Sequence, residues 1–289
     1  MEGDLFFDLD IGAVGYDPDR AADRERFSAL IWDFYRLAGR RMPWRDDPNP
    51  YWVFVSEIML QQTQVSRVMQ KFPSFVEHFP DFAHLASAPF SEILGHWSGL
   101  GYNRRAKFMH RSASAIVGDH AGSLPDDPEV LRTLPGIGVN TAGSIAAFAY
   151  NKPVVFIETN IRRVFLHLFF PGEDEVHDRR IFPLIERTLP RDNPREWYWA
   201  LMDFGVELAK RTGNSNRRSA HYTRQKPFED SDRQLRGRVL RALTEHGSIA
   251  SEEVPEYTGF AADRVHSVLE RMRREGLIRV SDDRWSIED

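Results

Sequence analysis

A chain of 289 residues has room for about two domains, and 42% hydrophobic residues is enough to build packed cores. Cysteine is absent, which excludes disulfides, thiol nucleophiles, zinc fingers and cysteine-ligated iron–sulfur clusters. A net charge of −5 does not advertise a nucleic-acid partner, although clustered basic residues can outweigh the global balance.

No apolar run of about 18 residues could cross a bilayer, and Met1-Glu2-Gly3-Asp4 is acidic where a signal peptide would be basic, so a cytoplasmic protein with no membrane partner is expected. The 10 His are scattered without HxH or HxxxH spacing, so no metal site is expected. No phosphate-loop motif occurs.

Residues 1–26, rich in Asp and Gly and without periodicity, read as an extended N-terminal arm. From 27 to 228 the apolar spacing predicts an all-α domain, with helical segments near 27–37, 51–71, 90–96, 105–119, 128–133, 141–150, 160–169, 179–188 and 197–211. Glu229-Asp230-Ser231-Asp232 reads as an acidic link to a last domain, 229–289. There Leu235, Val239, Leu240 and Leu243 make one helical face, 251–257 a short segment, and Val265, Val268, Leu269 and Met272 another face. A hairpin across Asp282-Asp283 follows, and three helices with a terminal hairpin suggest a winged helix-turn-helix, a module that binds DNA or protein.

Three segments carry candidate chemistry. Glu57 lies in a strongly apolar helical stretch, and at spacings of four and seven it forms a polar stripe with Gln61 and Gln64. It reads either as a buried carboxyl with a raised pKa, suited to general-acid work, or as a helix-edge residue facing solvent. Leu134-Pro135-Gly136-Ile137-Gly138-Val139-Asn140-Thr141 reads as a tight turn before a helix whose exposed N–H groups suit a phosphate, or as a plain connector. A hydrophobic run then delivers Glu158 to the start of the next helix, where the dipole favours an ionised carboxylate; capping and catalysis are both open to it. Two carboxyls pushed in opposite directions would suit an acid paired with an electrostatic stabiliser. Between 210 and 226 stand Lys210, Arg211, Arg217, Arg218, Arg224 and Lys226 without an acid, either a solvated loop or a DNA-contacting one.

From about residue 37 to 211 the chain resembles the helix-hairpin-helix DNA glycosylase superfamily, most nearly the adenine DNA glycosylases of the MutY type. The resemblance rests on Pro43-Trp44-Arg45, Pro50-Tyr51, the block 56–65, Gly99-Leu100-Gly101-Tyr102, the block 134–142, Asn160 with Arg163-Val164, and Ala200-Leu201-Met202-Asp203-Phe204-Gly205. It implies a two-lobed helical fold with a cleft that receives a flipped-out adenine. Glu57 matches the family's acid, Glu158 the position of its catalytic Asp, and Asn160 a supporting residue. Gln61, Gln62 and Tyr102 would contact DNA, with Gln62 and Tyr102 entering the base stack. Gly136, Ile137, Gly138, Asn140 and Thr141 would grip the backbone, with a monovalent cation on the hairpin carbonyls as an optional partner. No other cofactor is implied.

Four departures qualify the likeness. Glu158 replaces Asp, adding a methylene of about 1.5 Å. Asn140 stands where bifunctional relatives have Lys, so no Schiff base and no strand cleavage by that route are expected. The cluster cysteines that many relatives carry after Gly205 are missing, and the basic loop with Arg217 and Arg218 is expected to touch phosphates in their place. The 8-oxoguanine-reading C-terminal domain is replaced by the winged helix. The leading expectation is a monomeric, nucleoid-associated, monofunctional glycosylase acting on double-stranded DNA with a mismatch or an oxidised base, excising adenine opposite 8-oxoguanine or G. The alternatives are a same-fold enzyme for thymine or uracil opposite G, and a non-catalytic DNA-binding or regulatory protein.

Overall fold

The computed structural model describes residues 15–224 and 227–289, all-helical except for one small sheet. The helices run α1 (Ala21–Ala38), α2 (Pro43–Asp46), α3 (Pro50–Leu60), α4 (Val65–His78), α5 (Phe82–Ser87), α6 (Phe90–Trp97) and α7 (Arg104–Asp119). After them come α8 (Pro128–Leu131), α9 (Val139–Tyr150), α10 (Thr159–Phe169), α11 (Asp178–Thr188) and α12 (Pro194–Thr212), followed by a 3-10 turn, Ser215–Arg218. The C-terminal part is α13 (Asp232–His246), β1 (Ser248–Ala250), α14 (Val254–Thr258), α15 (Ala262–Arg274), β2 (Ile278–Ser281) and β3 (Arg284–Ile287).

These elements divide into two compact units, each drawn from two stretches of chain: the described parts of Met1–Pro48 with Gly138–Arg224, and Asn49–Ile137 with those of Gln225–Asp289. The C-terminal elements group with residues 49–137.

In the first unit, Phe27 of α1 packs edge-on against Phe169 and Trp197 and tilted against Phe165, a cluster in which aromatic area does most of the stabilising. Residues 21–26, expected in the arm, are the first turns of α1, and Gly15 and Tyr16 donate their N–H groups to the carbonyl of Leu168. The low-periodicity composition hid an ordered start; residues 1–14 of the expected arm lie outside the described residues. Asp203 is buried in α12 and accepts two hydrogen bonds from the Arg45 guanidinium, at 2.9 and 3.0 Å, and two from Arg40. The Pro43–Arg45 and Ala200–Gly205 blocks of sequence are thus one ion-paired cluster, since a buried carboxylate is tolerated only when its oxygens are satisfied.

Gly205 sets how closely α12 approaches α10: a Cβ there would lie 2.5 Å from the carbonyl oxygen of Asn160.

The second unit buries Phe54, Phe72, Phe75, Ile93, Trp97 and Met109 among α3 to α7. Its sheet has the order β1-β3-β2, all antiparallel, with Trp285 of β3 paired to Ile249 on one side and Val280 on the other. Asp282 and Asp283 both take positive φ in the turn between β2 and β3, as a two-residue hairpin that follows the strand twist requires. The sheet gains β1, too short at three residues to show alternation in sequence.

Candidate active site

In the second unit, α3 starts with Pro50 at its first turn, and Asn49 accepts a hydrogen bond from the Tyr51 N–H, 2.9 Å, to cap it. All but its residues Pro50, Trp52, Glu57 and Leu60 are buried, and Glu57 is half-buried in the last turn. The helix stops at Leu60, so the single helix expected over 51–71 is two. Gln61 closes α3, Gln62 takes a left-handed backbone with φ 54°, and Gln64 caps α4; the helical stripe of Glu57, Gln61 and Gln64 does not form.

Arg105 explains the break. Its buried guanidinium donates to the carbonyls of Ile58 and Met59, 2.8 Å each, to the Thr63 hydroxyl, 2.9 Å, and to the carbonyls of Leu100 and Gly101, 3.3 and 3.0 Å. The orphan carbonyls that end α3 are satisfied by a side chain from α7 instead of by another turn of helix. Burial lowers the Arg105 pKa to about 10, still far above neutral, so it remains a cation. The sequence offered one signal: Arg105 falls on the apolar stripe of α7 with Met109, Ser112 and Ile116, a cation where a core residue is due.

The second turn held by Arg105 is Gly99-Leu100-Gly101-Tyr102. Both glycines take positive φ, and so does Tyr102, at 48°, a conformation that costs a bulky residue about 1–3 kcal/mol. Gln62 is exposed and Tyr102 half-buried, so one guanidinium fixes two turns that each present a side chain from a strained backbone. Gln61 Nε2 donates to the Gly136 carbonyl, 3.4 Å, adding the 134–137 hairpin to this group. Gly136 has φ 78°, and a Cβ there would meet Phe108 at 2.7 Å, so the turn and the packing both demand glycine. Ile137 is buried, which leaves only its backbone for the expected DNA contact.

In the first unit, Gly138 is the N-cap of α9 in an extended conformation, with open space where a Cβ would be. Asn140 is exposed, Thr141 half-buried, and Asn140 Oδ1 accepts from the Ile157 N–H at 3.4 Å, which ties the first turn of α9 to the segment carrying Glu158.

Glu158 is the N-cap of α10. Its Oε1 accepts from the backbone N–H groups of Asn160, 2.7 Å, and Ile161, 2.8 Å, and its Oε2 from Asn160 Nδ2, 3.3 Å. Arg163 Nη1 in turn donates to Asn160 Oδ1, 2.5 Å, and to the Gly205 carbonyl, 2.9 Å. The Glu158 pKa shifts in the direction opposite to that expected from the helix end alone. Although the side chain keeps some solvent contact, the protein packed around it makes burial the largest influence and raises its pKa, against the lowering by the Ile161 and Asn160 N–H groups and by Arg163 and Arg162. The helix end moderates the cost of the charge without reversing it.

Much of the basic loop is bonded within the chain. Lys210 and Arg211 end α12 paired with Glu207, and Arg218 donates to the carbonyls of Phe170 and Leu166, closing the C-terminus of α10. Asn216 Nδ2 donates to the Thr159 carbonyl, 2.9 Å, at the other end of that helix. The loop therefore braces α10, and of the two arginines expected on DNA only Arg217 is exposed. Lys226 lies outside the described residues. With no cysteine in the sequence, these residues do not fit a thiolate-ligated cluster. Among the described residues no three His, Asp or Glu side chains gather as a metal site.

Residues 55–186 match the family described as HhH-GPD superfamily base excision DNA repair protein. The chain is 35% identical over 236 residues to an adenine DNA glycosylase of Mycobacterium tuberculosis (strain CDC 1551 / Oshkosh), covering 74% of this chain and 76% of that one. An adenine DNA glycosylase of Mus musculus is 31% identical over 199 residues, 65% of this chain and 39% of its own. Among solved structures, a thermostable thymine-DNA glycosylase superposes with a TM-score of 0.59 at 26% identity, over 63% of this chain and 86% of that one. An endonuclease III–DNA complex, TM-score 0.53 at 14% identity over 63% of this chain and 85% of that one, shares the fold. The chain belongs to the HhH-GPD superfamily of base-excision DNA glycosylases. Within it, these two sequence relatives are adenine DNA glycosylases, and the chain is a DNA N-glycosylase.

Proposed function

We propose that this enzyme excises adenine opposite 8-oxoguanine or guanine, with Glu57 as general acid and Glu158 as the anion that stabilises the sugar cation. In the breaking C1′–N bond the electron pair leaves with the purine. A proton from Glu57 on a ring nitrogen makes the base a neutral leaving group. The sugar left behind is oxocarbenium-like, and a fixed carboxylate is the group suited to it. Water then adds at C1′ and its proton passes to the Glu57 carboxylate, leaving an abasic site and restoring the acid. Asn140 has no amine to attack C1′, so the strand stays intact.

The observation that carries this mechanism is the clamping of Glu158. Three N–H donors from α10 and Asn160 hold both oxygens, so the carboxylate does not have to be oriented as charge develops. Support for adenine comes from the names of the sequence relatives. The likeness to a thymine-DNA glycosylase makes thymine opposite guanine the competing substrate.

Duplexes bearing A opposite 8-oxoguanine, A opposite G, T opposite G and U opposite G, incubated with enzyme and then treated with alkali, separate these readings. Breaks are expected only after alkali and only in the adenine-containing duplexes, with Glu57→Gln and Glu158→Gln each slower by at least about 100-fold. Breaks confined to T or U duplexes would transfer the assignment to the second substrate, and nicking before alkali would end the monofunctional one.

A further inference from the structure

We infer that Arg233, from the C-terminal part of the chain, is a positioning residue for Tyr102. The inference rests on the reading of Tyr102 as the side chain that enters the base stack. Arg233 Nη1 donates to the Tyr102 hydroxyl oxygen at 2.7 Å across a sequence separation of 131 residues. Its guanidinium also lies 5.7 Å from the centre of the Tyr102 ring, while Arg105 lies 5.6 Å from it. Two guanidiniums therefore meet one ring, Arg105 holding the turn and Arg233 the phenol tip.

Arg233 is well placed for this because α13 is itself anchored. Asp230 and Asp232, which flank its N-terminus, are engaged by Arg264 and Arg271 from α15. The Asp289 carboxylate accepts from the Ser91 N–H, 2.6 Å, and hydroxyl, 3.0 Å, at the start of α6. Gly276 leaves room for the Lys107 ammonium, which a Cβ there would meet at 2.8 Å. A ring on a left-handed turn, free at its tip, would sample several orientations; docked against a fixed guanidinium it is preorganised for insertion.

The cations of α15 point to the same division of labour. Arg264 and Arg271 pair with aspartates, and Arg273 with Glu270, while Arg274 donates to the Glu270 carbonyl, so the arginines of this helix are engaged within the chain. On this account the C-terminal elements act on DNA through Tyr102.

The test uses the full chain and the substitutions Tyr102→Phe, Arg233→Met, Arg233→Lys, Tyr102→Ala and the Phe/Met double variant. Excision is followed in single turnovers at saturating enzyme, duplex Kd is measured separately, and 2-aminopurine beside the target adenine reports unstacking. Tyr102→Phe keeps ring and charge and removes only the phenol oxygen. It is expected to slow excision about tenfold and lower the fluorescence, with Kd changed less than about threefold. Arg233→Met should match it, the double variant should be no slower than either single, and Arg233→Lys should recover part of the rate. Wild-type behaviour of Tyr102→Phe, or multiplying effects in the double variant, overturns the inference. If Tyr102→Ala leaves rate and fluorescence intact, the stacking role itself is wrong; if Ala is impaired and Phe is not, that role stands and only the Arg233 contact falls.

Discussion

The surroundings of Glu57 and Glu158 are built by opposite means. Glu57 stands in the last turn of α3, where the chain presents carbonyls, and what holds that end is a distant guanidinium, Arg105. Glu158 stands before the first turn of α10, where the chain presents N–H groups, and it is held by donors two and three residues away in its own sequence. A helix end of partial positive charge favours an ionised carboxyl, so the proposed anion occupies an end that suits it. Burial offsets that bias at Glu158. The lesson is one of dependence: the Glu158 arrangement is local, whereas the Glu57 arrangement needs tertiary structure already in place.

The strongest way to break this comparison is Arg105→Met. It leaves the carbonyls of Ile58, Met59, Leu100 and Gly101 without that donor, so urea denaturation should show a loss of about 2–4 kcal/mol. Excision per folded molecule should drop at least about tenfold as the Glu57 helix end and both turns loosen. Unchanged stability would mean that water replaces the guanidinium and the end of α3 is self-sufficient.

A smaller effect sharpens the Glu158 side. Because burial raises its pKa, this group stabilises the fold fully below the ordinary carboxylate range, and the contribution declines as pH rises through the raised value. Activity runs the other way, since the anion is needed, so excision should fall on the acid side at a pH above that of an ordinary carboxylate. Arg163 lowers the Glu158 pKa, so Arg163→Met should move that acid limb to higher pH and Arg163→Lys should keep it nearer the original. A limb that stays in place in a pH–rate profile of Arg163→Met would remove Arg163 from the tuning.

The mildest expectation concerns the loop behind α10. Arg217→Gln should reduce the slope of log K against log salt by about 0.9, the value for one lost phosphate contact, with no change in melting temperature. Arg218→Gln should instead lower the melting temperature, because it uncaps α10 at Leu166 and Phe170. Identical salt slopes for Arg217→Gln and wild type would take the loop off the DNA altogether.

What could be read from sequence follows the same division between local and distant. The helices at 141–150 and 160–169 and the cap at Glu158 were visible because periodicity and N-cap chemistry act over a few residues. The break at Gln61–Gln64 was not, since it is set by Arg105, more than 40 positions on. Asp203 and Arg45 were recognisable as family blocks but not as each other's partners. The direction of the Glu158 pKa shift is not legible locally, because the dipole is written in the local sequence whereas the burial that outweighs it is not. Arg233 carried no local mark; only its neighbours in space give it a role.

Gly205 touches no DNA in any reading offered above, yet it governs how tolerant the enzyme is of change. One added methyl would press on the carbonyl of Asn160, the residue whose amide steadies Glu158. Loss of activity from a substitution there would be a displaced backbone one step removed from the chemistry, and a survey of inactive variants would score position 205 beside the acids themselves.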